Sequence, residues 1–297
     1  MISPREWIDR LREHARSACA GSDSEGVHQL RVAAGRLSVW LELGGKRVLR
    51  DDLAWMRRSA GPLRDLDVIM ELLAATEPEG SNGSGAHPRS AEHEPSAARV
   101  GSAPTDPRAH ARTRETDGSW ASSASSPART ARSLGARCLA ERADALRTLA
   151  ATLSSDRFRA LLQSLAWLPP LDESAAREAL THFHARVRRA EKRLSRDRDD
   201  LRALHRLRRA VRRLRYALEW LGDDAQRWKR VQDDLGELNN FALLLHRLED
   251  PKPALAAPEN GSASRSHFRR DIHLEIDRRR ARFADDWSRE LETPEQL

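Results

Sequence analysis

Apolar residues recur at intervals of three and four along nearly the whole chain, the spacing that lays a single stripe along an α-helix. Residues 4–20 carry Trp7, Ile8, Leu11 and Ala15 on one face, and Ser3-Pro4-Arg5-Glu6 combines capping-box spacing with proline at the first helical position. Ser22-Asp23-Ser24-Glu25 repeats that spacing before a helix of about 24–43, which Gly44-Gly45 ends. A third helical stretch covers about 50–74, and Gly61-Pro62 inside it predicts a kink or a restart. Further on, helices are predicted over about 133–153 (Leu134, Leu139, Leu146, Leu149, Leu153) and 156–168 (Phe158, Leu161, Leu162, Leu165, Trp167). Another covers about 173–195, with the stripe Leu180, Phe183, Val187, Ala190 and Leu194. A helix of about 200–221 follows, then one reaching 249 with Asp223 and Gln226 at capping positions, and a last one over 265–292 carrying Ile272, Ile276, Phe283, Trp287 and Leu291. No stretch sustains period-two alternation with strand composition, so the predicted class is all-α.

Two segments break the periodicity. Residues 77–130 are rich in Ser, Gly, Pro and Ala, with Val100 and Trp120 as nearly their only large apolar residues. Such a stretch buries too little to offset its ordering entropy, and the expectation is a disordered insertion. His87, His93 and His110 lie in it without metal-ligand spacing. Residues 251–263, rich in Pro, Ala and Gly, read as a second loop.

The stretch from His205 to Leu218 organises the rest. Leu204, Leu207, Val211, Leu214 and Leu218 form its apolar stripe, and His205, Arg208, Arg212 and Arg215 run one step round from it. Like charges one turn apart repel each other, so this row suits one wall of an anion site. The alternative is that arginine stems simply cover apolar surface, and this helix alone leaves both readings open. Arg202, Arg206, Arg209 and Arg213 face away from the stripe, where water suffices as partner. In the 173–195 helix Arg186, Arg189 and Arg193 each precede an apolar position, so that helix also borders its core with arginine.

An internal repeat ties these helices together. Residues 28–41 match 205–218 at seven of 14 positions without a gap, pairing His28 with His205, Arg31 with Arg208 and Arg36 with Arg213. A lone histidine beside an apolar face is usually half-buried packing; recurring in register with the same arginine, it becomes a candidate for function. Ala60-Gly61-Pro62-Leu63-Arg64-Asp65-Leu66 follows the first motif at nearly the distance that Leu235-Gly236-Glu237-Leu238-Asn239-Asn240-Phe241 follows the second. The expected architecture is two internally repeated antiparallel helical bundles related by a pseudo-twofold, their His/Arg helices facing one cavity. On this reading 1–297 is a single domain: 1–76 and 131–170 form the first repeat around the 77–130 insertion, and 171–297 form the second.

Charge sharpens the picture. The chain carries a net +7, whereas residues 177–230 alone hold 18 Lys/Arg against 8 Asp/Glu, so the positive field is local and suits a polyanionic partner. Cys19 and Cys138 form no CxxC or His/Cys cluster and read as reduced, packed thiols. The first residues read as a helix start instead of a signal peptide, and no apolar run approaches the roughly 18 residues of a membrane span. The expectation is a soluble cytoplasmic protein without membrane association.

His-x-Leu-Arg followed by Arg-Arg-Leu-Arg-Tyr at 212–216, Arg64-Asp65-Leu66-Asp67-Val68 in the first half and Val231-Gln232-Asp233-Asp234-Leu235-Gly236-Glu237-Leu238-Asn239-Asn240 in the second resemble the conserved histidine α-helical domain, CHAD. The resemblance spans both halves outside 77–130 and 251–263. It implies two related helical bundles around a basic groove or pore that binds inorganic polyphosphate, a binding module without catalysis and without a cofactor. Carried over, the implied polyphosphate ligands are His28, Arg31 and Arg36 in the first half and Arg189, Arg193, His205, Arg208, Arg212, Arg213, Arg215, Tyr216 and Lys229 in the second. Gly35 and Ser38 stand where the second motif has Arg212 and Arg215, so one wall of the groove is expected to be less positive. The family also suggests polyphosphate granules or polyphosphate-metabolising enzymes as partners.

Arginine suits this ligand because it offers two parallel charge-assisted hydrogen bonds to non-bridging phosphate oxygens. A bound phosphate favours doubly protonated His28 and His205, so binding is expected to tighten toward pH 6. Asp65 and Asp67, two apart on a helix, point to different sides, and Asp233 and Asp234 are adjacent; all read as caps or arginine partners instead of metal ligands. No P-loop and no Glu-x-Glu-x-Lys pattern of an accompanying triphosphatase occurs. The rivals are an RNA or DNA backbone binder, disfavoured because Trp7, Trp167, Trp220 and Trp287 read as core and leave no stacking platform, and a helical adaptor docking an acidic protein.

Overall fold

A computed structural model describes residues 2–20, 24–75, 125–197, 200–250 and 261–291. Among them the chain is helical: α1 (Arg5–Ala20), α2 (Ser24–Leu43), α3 (Val48–Ala74), α4 (Ser125–Leu153), α5 (Asp156–Ala166), α6 (Glu173–Leu194), α7 (Leu201–Leu221), α8 (Gln226–Glu249) and α9 (Gly261–Leu291). The one extended contact is an isolated antiparallel bridge between Ile2 and Leu171. Residues 77–124 of the expected insertion and 251–260 of the second loop lie outside the described residues, as do Ser22 and Asp23 of the second capping box. α4 begins at Ser125, inside the segment expected to be disordered, and α9 begins at Gly261.

Helix ends follow local chemistry. Gly45 takes φ 66° after α2, and the Lys46 amide closes on the Leu41 carbonyl at 2.7 Å, the left-handed stop that glycine supplies without steric cost. α3 does not restart at Gly61-Pro62 but runs through both residues. Pro62 lies on the exposed side, where water reaches the carbonyl that loses its intrahelical partner. Asp224, not Asp223 or Gln226, opens α8 by accepting from the Gln226 amide at 2.9 Å. Asp223 is taken instead by Arg177 of α6 at 3.2 Å.

The helices pack in two series, α1 to α4 and α6 to α9, each member against the next, and the series meet through α2 with α7, α3 with α8 and α4 with α9. Leu30, Trp40 and Met56 of the first series and Phe183, Leu207 and Leu214 of the second belong to one continuous core. Burial of each such side chain contributes about 1.5–3 kcal/mol. Three apolar expectations fail. Leu139 is exposed while its neighbour Cys138 is buried, Cys19 is exposed instead of packed, and Trp167, at the end of α5, is 87% exposed. No helix among the described residues is long and apolar enough to cross a membrane.

Candidate anion-binding site

The Asp200 carboxylate accepts from the Arg202 amide at 2.7 Å to open α7, and Gly222, at φ 75°, ends it. Between these caps the strong separation of apolar and basic faces settles which side of α7 turns to the core. α3 and α7 both pack on α2 and hardly touch each other. Their arginines therefore gather over α2.

At one end of this array of arginines, Arg31 of α2, Arg57 of α3 and Arg208 and Arg212 of α7 crowd together. Arg31 is held by donating from Nη1 to the Arg57 carbonyl at 3.2 Å. Gly61 makes this approach feasible, since a Cβ there would stand 3.3 Å from Arg31 Nη1. Burial, reinforced by the charges of Arg212 and Arg31, pushes the Arg57 guanidinium down to about 10. Burial and then Arg212 push Arg208 to about 10 as well. Burial also lowers Arg31 and Arg212. The buried Nε of Arg57 and that of Arg208 have no hydrogen-bond partner. Asp65 lies close enough to Arg31 and Arg208 to offset part of their charge. Among the described residues, Asp65 thus offsets two of the four guanidiniums, Arg31 and Arg208, and the cluster keeps an excess of positive charge complementary to an anion.

His205 sits at the same end, its Nδ1–H donating to Asn239 Oδ1 of α8 at 3.0 Å, which orients the ring and leaves Nε2 outward. Asp67, in contrast, is buried against Arg142 of α4 at 2.8 Å, so the two aspartates do face different helices.

The other end is an open cleft of about 370 Å³ lined by Arg50 of α3, Arg186, Arg189 and Arg193 of α6, and Arg206, Arg209 and Arg213 of α7. The row Arg206, Arg209 and Arg213, expected to need only water, instead faces α6 because the two helices pack side by side and bring their arginines together. Behind this wall the Glu42 carboxylate, 10% exposed, pairs with Arg213 and Arg186 and lies 3.6 Å from Arg50 Nη2. Arg209 joins the two ends, since it lines the cleft and its charge reaches both Arg57 and Arg212.

A family model for the CHAD domain matches residues 5–249. The chain belongs to the CHAD family. The CHAD domain from the plant Ricinus communis is 19% identical, with a TM-score of 0.60 covering 95% of this chain and 89% of that one. PptA from Streptomyces chartreusis is 18% identical, with a TM-score of 0.60 covering 97% of this chain and all of that one (100%). At these identities the likeness is one of fold. No curated protein matches the sequence.

In this CHAD domain three residues expected as ligands serve packing. Arg36 is 6% exposed, donates from Nε to Glu219 Oε2 at 3.0 Å, and lies between the Trp7 ring at 4.3 Å and the Tyr216 ring at 4.5 Å. Arg215, 2% exposed, lies 4.9 Å from the Tyr216 ring centre and pairs with Glu219 at 3.4 Å. Burial pushes the Tyr216 phenol up, but Arg36, Arg215 and Arg212 outweigh it and leave the group below its usual range. These side chains pack at the seam between α2 and α7. Gly35 also acquires a reason: a Cβ there would meet Tyr216 Cε2 at 3.1 Å, so arginine at this position is excluded by packing. His28 is part-buried near the start of α2, and Lys229 is part-buried in the first turn of α8. Sequence reasoning missed Arg57, whose signal is the seven-residue spacing of Arg50, Arg57 and Arg64 that places all three on one face of α3. It also missed Glu42, whose signal is that the ungapped repeat runs one residue further and pairs it with Glu219.

Proposed function

We propose that this CHAD domain binds inorganic polyphosphate along the groove between α3 and α7. The observation that carries the reading is the crowding of Arg31, Arg57, Arg208 and Arg212 with two buried guanidinium N–H groups unpartnered. Such a site is costly when empty and gains most from a multivalent anion whose oxygens each accept two arginine donors. The ligand set on this reading is Arg31, Arg57, Arg208 and Arg212 with His205, extended by Arg189, Arg193, Arg206, Arg209 and Arg213 in the cleft. His28 belongs to it by correspondence with His205. The site holds and does not react: its carboxylates are spent on arginines. Recruitment to polyphosphate granules follows if the polymer is present in the cell.

On the same reading the two helical series are repeats about a pseudo-twofold. Its support is the shared packing order and a reciprocal pair of contacts, Arg36 to Glu219 and Arg213 to Glu42, whose members differ by the same 177 residues that separate His28 from His205.

The test is salt-dependent affinity for long-chain polyphosphate and for single-stranded RNA of equal charge, with the intact protein and with Arg57→Gln/Arg208→Gln/Arg212→Gln. Preferential polyphosphate binding that the triple variant loses while remaining helical is the expected result. Equal binding of RNA would replace the reading with a general polyanion binder.

A further inference from the structure

The groove is basic throughout, yet its two ends are neutralised differently. At the Arg57 end the guanidiniums are short of counter-ions. At the cleft end Glu42 already occupies the position of an anion, held by Arg213 and Arg186 and near Arg50, from three different helices. Arg189, Arg193 and Arg209 line the same cleft without a carboxylate partner among the described residues. The reciprocal carboxylate, Glu219, is 31% exposed, but its partners Arg36 and Arg215 do not line the cleft, and Arg36 is enclosed by Trp7 and Tyr216.

We propose that Glu42 is a specificity-determining residue, a built-in counter-ion that an entering phosphate chain must displace from Arg186 and Arg213, so that long polyphosphate is selected over short phosphates. The proposal rests on the polyphosphate reading above. A small anion entering the cleft competes with a tethered carboxylate whose effective concentration is high, and it exchanges one set of charge-assisted contacts for another with little net gain. A long chain is first anchored at Arg57, Arg208 and Arg212. Its next phosphates reach the cleft intramolecularly, at an effective concentration able to compete with Glu42. Arg209, within electrostatic reach of both ends, lies on the path between them.

The experiment measures affinities for pyrophosphate, tripolyphosphate and long-chain polyphosphate in the wild type, Glu42→Gln and Glu219→Gln. Glu42→Gln keeps the shape and removes the charge. It is expected to raise affinity for pyrophosphate and tripolyphosphate about tenfold and for the long chain much less, so that length discrimination falls. Glu219→Gln is expected to lower stability and leave discrimination unchanged. If Glu42→Gln fails to fold, Glu42→Asp, which withdraws the carboxylate by one methylene, should give an intermediate loss of discrimination. Equal gains at every length, or no gain, would overturn the role of Glu42 while leaving polyphosphate binding intact. Wild-type protein that binds no polyphosphate of any length would overturn both readings.

Discussion

Arg36 of α2 and Glu219 of α7 meet at 2.8 Å across the seam between the two helical series, with Tyr216 and Trp7 closing over the guanidinium. Glu42 and Arg213 make the same connection in the opposite sense, with the carboxylate 10% exposed behind the arginines of the cleft. One contact type thus holds enclosed arginines at one site and cleft-lining arginines at the other.

Removing the Glu219 carboxylate should be expensive. Glu219→Gln leaves Arg36 and Arg215 buried with one counter-ion fewer. The Glu219 side chain is 31% exposed, so the expected loss is about 2–3 kcal/mol, below the range for fully buried pairs. Denaturant unfolding measures it, and a shift under about 0.5 kcal/mol would show that the seam does not depend on this pair.

Gly35 should resist substitution. Alanine gains helix propensity of about 1 kcal/mol, but its Cβ would stand 3.1 Å from a ring wedged between Arg36 and Arg215. The expectation is a net loss of about 1 kcal/mol for Gly35→Ala. Gly35→Arg, which copies Arg212 of the second motif, should lower the melting temperature far more and add no affinity.

Arg57 and Arg208 should oppose stability in the absence of ligand. Their folded values of about 10 lie below the ordinary arginine value, so the charged form is disfavoured by folding. Below about pH 10 both folded and unfolded states carry the proton and the penalty is fully present. It is relieved as pH rises through that value, because the folded state releases its proton first. At pH 7, therefore, Arg208→Gln should raise the stability of the ligand-free protein by an order of 1 kcal/mol and weaken polyphosphate binding. A simultaneous fall in both, read from thermal unfolding with and without polyphosphate, would contradict this account.

His205 should contribute to binding through its orientation. Asn239 Oδ1 of α8 holds the ring by its Nδ1 at 3.0 Å. His205→Ala is expected to weaken polyphosphate affinity several-fold, and Asn239→Ala, which frees the ring, to weaken it less. Affinity unchanged by His205→Ala would remove the histidine from the ligand set.

The all-α class, the helix stop at Gly44-Gly45 and the repeated His/Arg motif follow from local rules and are legible in the chain, and the caps at Asp172, Asp200 and Gly222, which the sequence reading passed over, obey the same rules. So was the azimuth of each arginine on its own helix: 3.6 residues per turn determine that Arg208 and Arg212 flank the apolar stripe of α7 and that Arg209 and Arg213 lie further round. What periodicity leaves open is which neighbour meets each face. Only the tertiary structure put α6 beside Arg206, Arg209 and Arg213, turning a solvated row into a cleft wall. It also buried Arg36 and Arg215 against Glu219, brought Arg57 across from α3, and set Glu42 against Arg186 and Arg213, both distant in sequence. The physical reason is range. Helix formation and capping act within a few residues, whereas the pairing or crowding of a charge depends on carboxylates and cations brought in by other helices.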